Sequence, residues 1–582
     1  MKKKFFASMG LAVALALGIT APAFGMNVTS ADEFAEAIET NEIRLTANVT
    51  GDLVIPAGKT VTLDLNGHTL TAKSSHAITN NGTLTVVGNG VVDAVVHQKA
   101  AIYNNAGATA TLNGGTYTRS LENGGSNSFY SIKNFGIMTI NDGVSVNQGP
   151  DQNAQYSSLV ANGWQNAANA SAPGGEPDVP EGGAKMTING GAFSGGLNTI
   201  KNDDCGTIEI KGGSFSNVAQ SALLNWNNAS VSGGTFECGA TAILNGQCNT
   251  APGFDDGKLV ITGGTFTAPT VLDNMGAGYG EDFDSGSIEI SGGAFTGVFS
   301  DRLIAADTNV TAGTFSDVSA VKYVVGDNAA LSKDGTFTVM TEKKAAEAGL
   351  VSVEKDGVKV YFTDKEEAVK FAESVTTPGE ETPVVTPITV TVTFEDGSDK
   401  PVTKTVSKGN TVAKPDDPER EGYVFKGWYA DAACTTEFKF DTVIMADTNV
   451  YAKWEKIPAV FKVAFNDAFG NTTVVDVTEG AKVAKPEDPT HENYEFVNWY
   501  ADKDCTTEFD FDKAVTADVE VWAKWKKVEA EKPATEPEKK PESKPGNALP
   551  QTGDASMLGV LAAAGAGVVL TGAGFVATRK KK

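Results

Sequence analysis

Gly212-Gly213-Ser214-Phe215, then Ala222-Leu223-Leu224-Asn225, then Gly233-Gly234-Thr235-Phe236: this run decides the fold of the central part of the chain. Gly-Gly-small-aromatic recurs at Gly114 to Tyr117, Gly190 to Phe193, Gly263 to Phe266 and Gly292 to Phe295, with a degenerate copy at Ala312-Gly313-Thr314-Phe315. The steps from Gly190 to Gly212 and on to Gly233 are 22 and 21 residues; the next two, to Gly263 and Gly292, are 30 and 29. The longer steps imply inserted loops. An apolar pair closed by Asn precedes the copies, as in Ala77-Ile78-Thr79-Asn80, Ile102-Tyr103-Asn104, Ile132-Lys133-Asn134, Ile200-Lys201-Asn202 and Ile243-Leu244-Asn245. Short alternating stretches such as Met186-Thr187-Ile188-Asn189 and Ser287-Ile288-Glu289-Ile290 lie between. One repeat is thus two or three short strands joined by tight turns. Self-similarity at such a period marks a solenoid, because one coil cannot bury its own apolar face and must stack on the next. The expected fold is mainly β: a right-handed parallel β-helix over residues 26–335. The aromatics should stack inside, the asparagines should form an amide ladder, and about nine coils at about 4.8 Å each should give a rod of roughly 40 Å.

Open ends of such a rod expose unpaired edges and need covers. Ser30 suits an N-cap, and Phe34, Ala35 and Ile38 follow at helical spacing, so 31–39 is expected to be a cap helix. Residues 336–373 are expected to form the other cap or a small α/β segment. The stretch from Leu53 to Thr71, with Leu63-Asp64-Leu65-Asn66-Gly67, resembles the opening coil of pectate-lyase-like β-helix domains. That resemblance covers roughly half the chain and implies fold, not activity.

Pro378, Pro383 and Pro387 mark 374–387 as a linker. Beyond it the chain repeats itself: Pro415, Trp428, Cys434 and Trp454 recur at Pro486, Trp499, Cys505 and Trp525, each 71 residues later. The two copies, 388–456 and 457–527, resemble the internalin B-repeat (Listeria–Bacteroides repeat), a small β-grasp-like module of bacterial surface proteins. The family's Gly-Trp-Tyr core stands as Gly427-Trp428-Tyr429; the second copy has Asn498 in place of the glycine. The aromatics at this spacing are expected in the module cores. Residues 528–548 carry Pro533, Pro537, Pro541 and Pro545 among Glu and Lys, a stiff polar spacer.

The two ends concern export. Lys2 to Lys4, the apolar run Leu11 to Ile19 and the small residues around Ala23-Phe24-Gly25 read as a secretory signal over 1–25. At the other end Leu549-Pro550-Gln551-Thr552-Gly553 precedes an apolar stretch from Met557 to Thr578 and the basic Arg579 to Lys582, so 554–582 reads as a hydrophobic helix with a cytoplasmic tail. All three parts in this order resemble the sorting signal of sortase substrates. The resemblance implies that a sortase cysteine attacks the Thr552 carbonyl, that the Thr552–Gly553 bond breaks, and that a peptidoglycan amine resolves the thioester. The chain would then meet the membrane only before sorting and sit in the cell wall, facing outward.

Composition narrows what the head can do. A formal net charge of −25 argues against nucleic acid, whose phosphates need cationic contacts. The 63 glycines show no three-residue period and point to turns, not collagen. The five cysteines, Cys205, Cys238, Cys248, Cys434 and Cys505, form no C-x-x-C pair, which argues against zinc and redox motifs. In an oxidising compartment Cys238 and Cys248 are within reach of each other in sequence; otherwise they are small packing residues. Carboxylate candidates for catalysis or calcium are Asp203 and Asp204, Asp255 and Asp256, and Glu281, Asp282 and Asp284. No basic or carboxylate partner motif accompanies them, and only eight basic residues lie between Lys99 and Asp317, so an anionic polysaccharide would be repelled. These loops are expected to be a solvated face, with no cofactor required and calcium the one ion they could take. On that view, exchanging Asp203 and Asp204 for Asn leaves stability nearly unchanged. The function expected is a wall-displayed interaction head binding an unidentified glycan or protein. A polysaccharide-active enzyme and a passive coat component are the alternatives.

Changing Thr552 to Ala keeps the carbonyl but removes the acyl-donor geometry a sortase needs. Cell walls boiled in detergent should retain the wild-type chain and lose the variant to the membrane fraction or medium; retention of the variant would refute the sorting mechanism.

Overall fold

The computed structural model describes residues 25–121, 129–148, 157–163, 183–247, 257–274 and 286–529. The expected secretory signal, the spacer from residue 530 onward, the pentapeptide Leu549 to Gly553 and the apolar stretch after it lie outside these residues. The chain divides into two compact units, Met1–Lys456 and Ile457–Lys582.

The first unit opens with a parallel β-helix whose coils pass through three stacked faces in a fixed order. The aliphatic face runs through Thr60–Asp64, Thr83–Val87, Thr109–Leu112, Ile137–Ile140, Ala184–Ile188, Gly206–Ile210, Asn228–Val231 and Lys258–Ile261. One inward position per rung stays in register along it: Leu63, Val86, Leu112, Ile140, Ile188, Ile210, Val231, Ile261, Ile290 and Val310 are all buried. Two earlier rungs, Met26–Val28 and Glu42–Leu45, carry no Gly-Gly copy, so the stack begins before the repeat motif does.

After Thr109–Leu112 and after each aliphatic strand from Ala184–Ile188 onward a Gly-Gly turn leads to the aromatic face; Asn66-Gly67, Gly88-Asn89-Gly90 and Asp142-Gly143 make the turn in the other coils. Both glycines have a steric reason to be there, as Gly233 and Gly234 illustrate. A Cβ on Gly233 would lie 2.3 Å from the Lys211 carbonyl of the coil below, and Gly234 has φ +97°, where side chains are strained. The rings that follow form one column: Phe193, Phe215, Phe236, Phe266, Phe295 and Phe315 stand 4.6 to 5.0 Å apart with interplanar angles of 4 to 16°. Rings normally favour offset or edge-on contact; here the strand spacing imposes the parallel stack. Tyr117 is buried too, but Val146 stands between it and Phe193 in the register, so it packs apart from the column and donates its hydroxyl to the Gly114 carbonyl at 3.0 Å.

The third face ends each strand on asparagine. Each side-chain amide donates to the next: Asn80 to Asn104, Asn104 to Asn134, Asn134 to Asn162, Asn162 to Asn202, Asn202 to Asn225 and Asn225 to Asn245, all at 2.7 or 2.8 Å. These seven side chains are fully buried. A buried amide without partners would cost more than its bonds return, so the ladder fixes which residue can occupy the corner. A shorter, exposed ladder joins Asn113, Asn141 and Asn189 ahead of the Gly-Gly turns.

Both ends are covered. Ala31–Glu33 is a short 3-10 turn that continues into the helix Phe34–Glu39, and Glu33 closes a capping box with Ser30. The buried side chains of this cap are Phe34, Ala37 and Ile38; Ala35, expected among them, faces solvent because the 3-10 turn rotates the register. At the far end the parallel stack stops at Phe315. Thr336–Thr341 pairs antiparallel there, with Phe337 opposite Phe315, and forms a hairpin with Asn328–Lys333. Val358–Phe362, Val351–Lys355 and the helices Glu342–Ala348 and Lys365–Ser374 complete this cap. The proline-rich stretch after it is not free throughout: Val385–Pro387 pairs with Val351–Val353.

Each module is a four-stranded sheet with a parallel central pair. In the first, the order is Val402–Ser407, Thr389–Glu395, Thr448–Lys456, Tyr423–Tyr429. In the second it is Thr472–Thr478, Val460–Asn466, Val519–Lys527, Tyr494–Tyr500. This is the β-grasp strand order with no helix in the crossover. Trp428 and Trp499 are buried core residues, and the indoles of Trp454 and Trp525 donate to the carbonyls of Asp396 and Asp467. Gly427 and Asn498 occupy the same bulge; Asn498 accepts the Trp499 amide with its side chain, which accounts for the departure from glycine. Cys238, Cys434 and Cys505 are free thiols; Cys238 is buried, and Cys248 lies outside the described residues.

Phe236→Ala removes a ring held between Phe215 and Phe266. The change should cost about 3–5 kcal/mol in thermal or denaturant unfolding of the head; a loss below about 1 kcal/mol would show that the column contributes little.

Candidate functional site

Side chains of the asparagine face alternate inward and outward. Ile78, Ile102, Ile132, Val160, Ile200, Leu223 and Ile243 point into the core. The residues between them and the ladder form an outward row in register: Thr79, Tyr103, Lys133, Ala161, Lys201, Leu224 and Leu244. This row gathers polar and aromatic chemistry.

Its first part is aromatic. His76 stacks on Tyr103 with centroids 4.3 Å apart, and Phe129 and Phe135 lie against the pair. The Ala100 amide donates to His76 Nδ1 at 2.8 Å. Burial, with Lys99 nearby, brings the imidazole down to about 4, so at neutral pH it is uncharged and its Nδ1 stays an acceptor. His76, Tyr103, Phe129 and Tyr130 are half-buried.

The middle part is ionic. Lys133 is fully buried; its Nζ lies 4.4 Å from the Tyr130 ring, 5.0 Å from Phe135 and 4.0 Å from Asp203 Oδ2. Lys201 Nζ is 2.9 Å from Asp203 Oδ1 and 4.2 Å from the Trp226 ring. Ala161 separates the lysines in the row, and its small side chain leaves Lys133 room to reach across a rung. Asp203 immediately follows the ladder residue Asn202, and its amide donates to the Asn162 carbonyl at 2.8 Å, which fixes the turn.

The expectation of a solvated acidic loop at Asp203 and Asp204 is therefore wrong. Asp203 is 1% exposed and Asp204 2%. The physical reason is the corner geometry: the turn after Asn202 directs Asp203 back over the outward row, where two ammonium groups offset its charge. Sequence reasoning passed over the partners, although Ile132-Lys133-Asn134 and Ile200-Lys201-Asn202 place both lysines at one repeat position. Asp255, Asp256, Glu281, Asp282 and Asp284 lie outside the described residues. Among the described residues no group of three His, Cys, Asp or Glu is placed to hold a metal ion.

Such a row can present ring faces and the Lys201 ammonium to a ligand. A carboxylate enclosed between two lysines is poorly placed to exchange protons with a substrate, since a general acid or base must come within hydrogen-bond reach of it.

Comparison with known proteins bears on the rest of the chain. Residues 391–453 and 461–524 match the Listeria-Bacteroides repeat domain, and residues 541–582 match the LPXTG cell wall anchor motif. A putative Gly-rich membrane protein of Evansella cellulosilytica is 36% identical over 140 residues, covering 23% of this chain and 16% of that protein. A putative membrane protein of the same organism is 34% identical over 117 residues, covering 20% and 17%. Internalin H of Listeria monocytogenes is 32% identical over 154 residues, covering 26% of each chain. The chain thus spans about a quarter or less of the length of these relatives. Among the described residues no helix is long and apolar enough to cross a membrane.

Asp203→Asn leaves the buried Lys133 ammonium and the part-exposed Lys201 ammonium beside a neutral amide. Breaking a buried pair in this way should cost about 3–5 kcal/mol, read as a lower unfolding midpoint of the head; an unchanged midpoint would mean that the lysines do not depend on Asp203.

Proposed function

We propose that this LPXTG-anchored protein of the cell wall surface displays its β-helix as a ligand-binding head, in the manner of an adhesin, and uses the two Listeria–Bacteroides modules as a stalk. The anchor motif implies sortase processing and attachment to peptidoglycan, and the apolar C-terminal stretch serves as part of the sorting signal. The observation that carries the proposal is the outward row of the asparagine face. His76, Tyr103, Phe129 and Tyr130 keep part of their ring surface exposed there, with Lys201 over Trp226 beside them. Of the module indoles, Trp428 and Trp499 are buried in the cores and Trp454 and Trp525 are bonded to their own backbone, while Trp522 is half-buried under Lys503. Rings with one wet face and a nearby amine suit the apolar faces and hydroxyls of a sugar chain.

An enzymatic role is the second reading, and the buried Lys133–Asp203–Lys201 group is what favours it, since lysines beside an enclosed carboxylate also occur in active sites. The enclosure itself argues for a structural role.

Mature chain should be incubated with a panel of neutral and acidic polysaccharides, polygalacturonate among them, with and without calcium. Binding without cleavage, weakened at least about tenfold by Tyr103→Ala, supports the adhesin. Release of oligosaccharides would instead establish the enzyme, and no binding by any member of the panel would remove glycans as the ligand class.

A further inference from the structure

The two modules share one strand order, yet their outer edges differ at a decisive position. The edge strand of the first is Val402–Ser407, and that of the second is Thr472–Thr478. Lys404 in the first corresponds to Val475 in the second, 71 residues on. The Lys404 ammonium donates to the carbonyls of Ala413 at 2.9 Å and Lys414 at 3.2 Å, which places a charge on the edge and ties a neighbouring segment to it. A charged side chain on an edge strand is a common obstacle to pairing with another chain.

The second module lacks that obstacle. Thr472-Thr473-Val474-Val475-Asp476-Val477-Thr478 is β-branched except for Asp476, with no Pro or Gly. One side of the strand pairs along its whole length with Val460–Asn466; the other meets no strand among the described residues. Val474 is 51% exposed and Val475 36%. Asp476, the one charge, is paired with Lys462 at 3.2 Å.

We infer that this edge is a pairing surface for a second copy of the same chain. The strand is self-complementary in an antiparallel two-fold arrangement. Centred on Val475, that register sets Val475 opposite itself, Val474 opposite Asp476, Thr473 opposite Val477 and Thr472 opposite Thr478. No like charges meet, and the two module cores fall on the same side of the joined sheet. Such an isologous contact closes at a dimer, and the main-chain bonds that the edge now offers to solvent supply its attraction.

Sedimentation velocity on residues 26–552, from about 1 μM to about 1 mM, tests this. Wild-type chain should dimerise with rising concentration. Val475→Lys installs the residue that the first module already tolerates, so its fold is preserved, and it should weaken dimerisation at least about tenfold. Lys404→Val should open a second edge and give species larger than a dimer. A wild-type monomer throughout, even one that captures a foreign extended peptide, overturns the inference. So does a dimer indifferent to Val475→Lys.

Discussion

The distance between neighbouring parallel strands governs the head of this molecule. Hydrogen bonding between rungs sets that distance at about 4.8 Å, and every other regularity follows from what fits it. Aromatic rings settle into a parallel column they would not choose in isolation. Asparagine amides find the distance short enough for a direct bond to the next amide. The first glycine of each turn is required because the backbone below leaves no space for a Cβ, as at Gly233. A side chain that does not suit the repeat interrupts only its own column. Val146 separates Tyr117 from the phenylalanines, yet the strands on either side keep their register.

The same constraint made much of the head legible in the sequence. Gly-Gly-small-aromatic and apolar-apolar-Asn describe local stereochemistry, and each copy states the same requirement. The rungs Met26–Val28 and Glu42–Leu45 were not legible, because a strand at the start of the stack needs only alternating burial and no turn motif. Ala35 was misplaced because one 3-10 turn shifts the helical phase. The modules were read from their 71-residue offset, which identifies a repeat whatever its fold, and Trp428 and Trp499 are core as expected while Trp454 and Trp522 are half-buried outside the cores.

The ionic group on the asparagine face shows where linear reading fails. Asp203 was judged by its neighbours in sequence, which are acidic and polar. Its environment is set by Lys133, a residue from an earlier coil that the stack carries to within 4.0 Å. In a solenoid, a residue's neighbours across coils are those at the same repeat position. A charge is therefore better judged down a column of the aligned repeats than along the chain.

The Gly-Gly corner has a further consequence, for how such a head can vary through descent. The longest connections run from Asn162 to Ala184, Asn245 to Lys258 and Asn274 to Ser287, each after an asparagine-ended strand, and from Thr118 to Ile132 and Asn147 to Val160, each ahead of one. The corner between the aliphatic and aromatic faces, where backbone lies against backbone, admits none among the repeats compared. Lineages can thus lengthen, shorten or exchange segments beside one face while the stack is inherited unchanged. New recognition can arise there by segment replacement, with little need to redesign the scaffold that carries it.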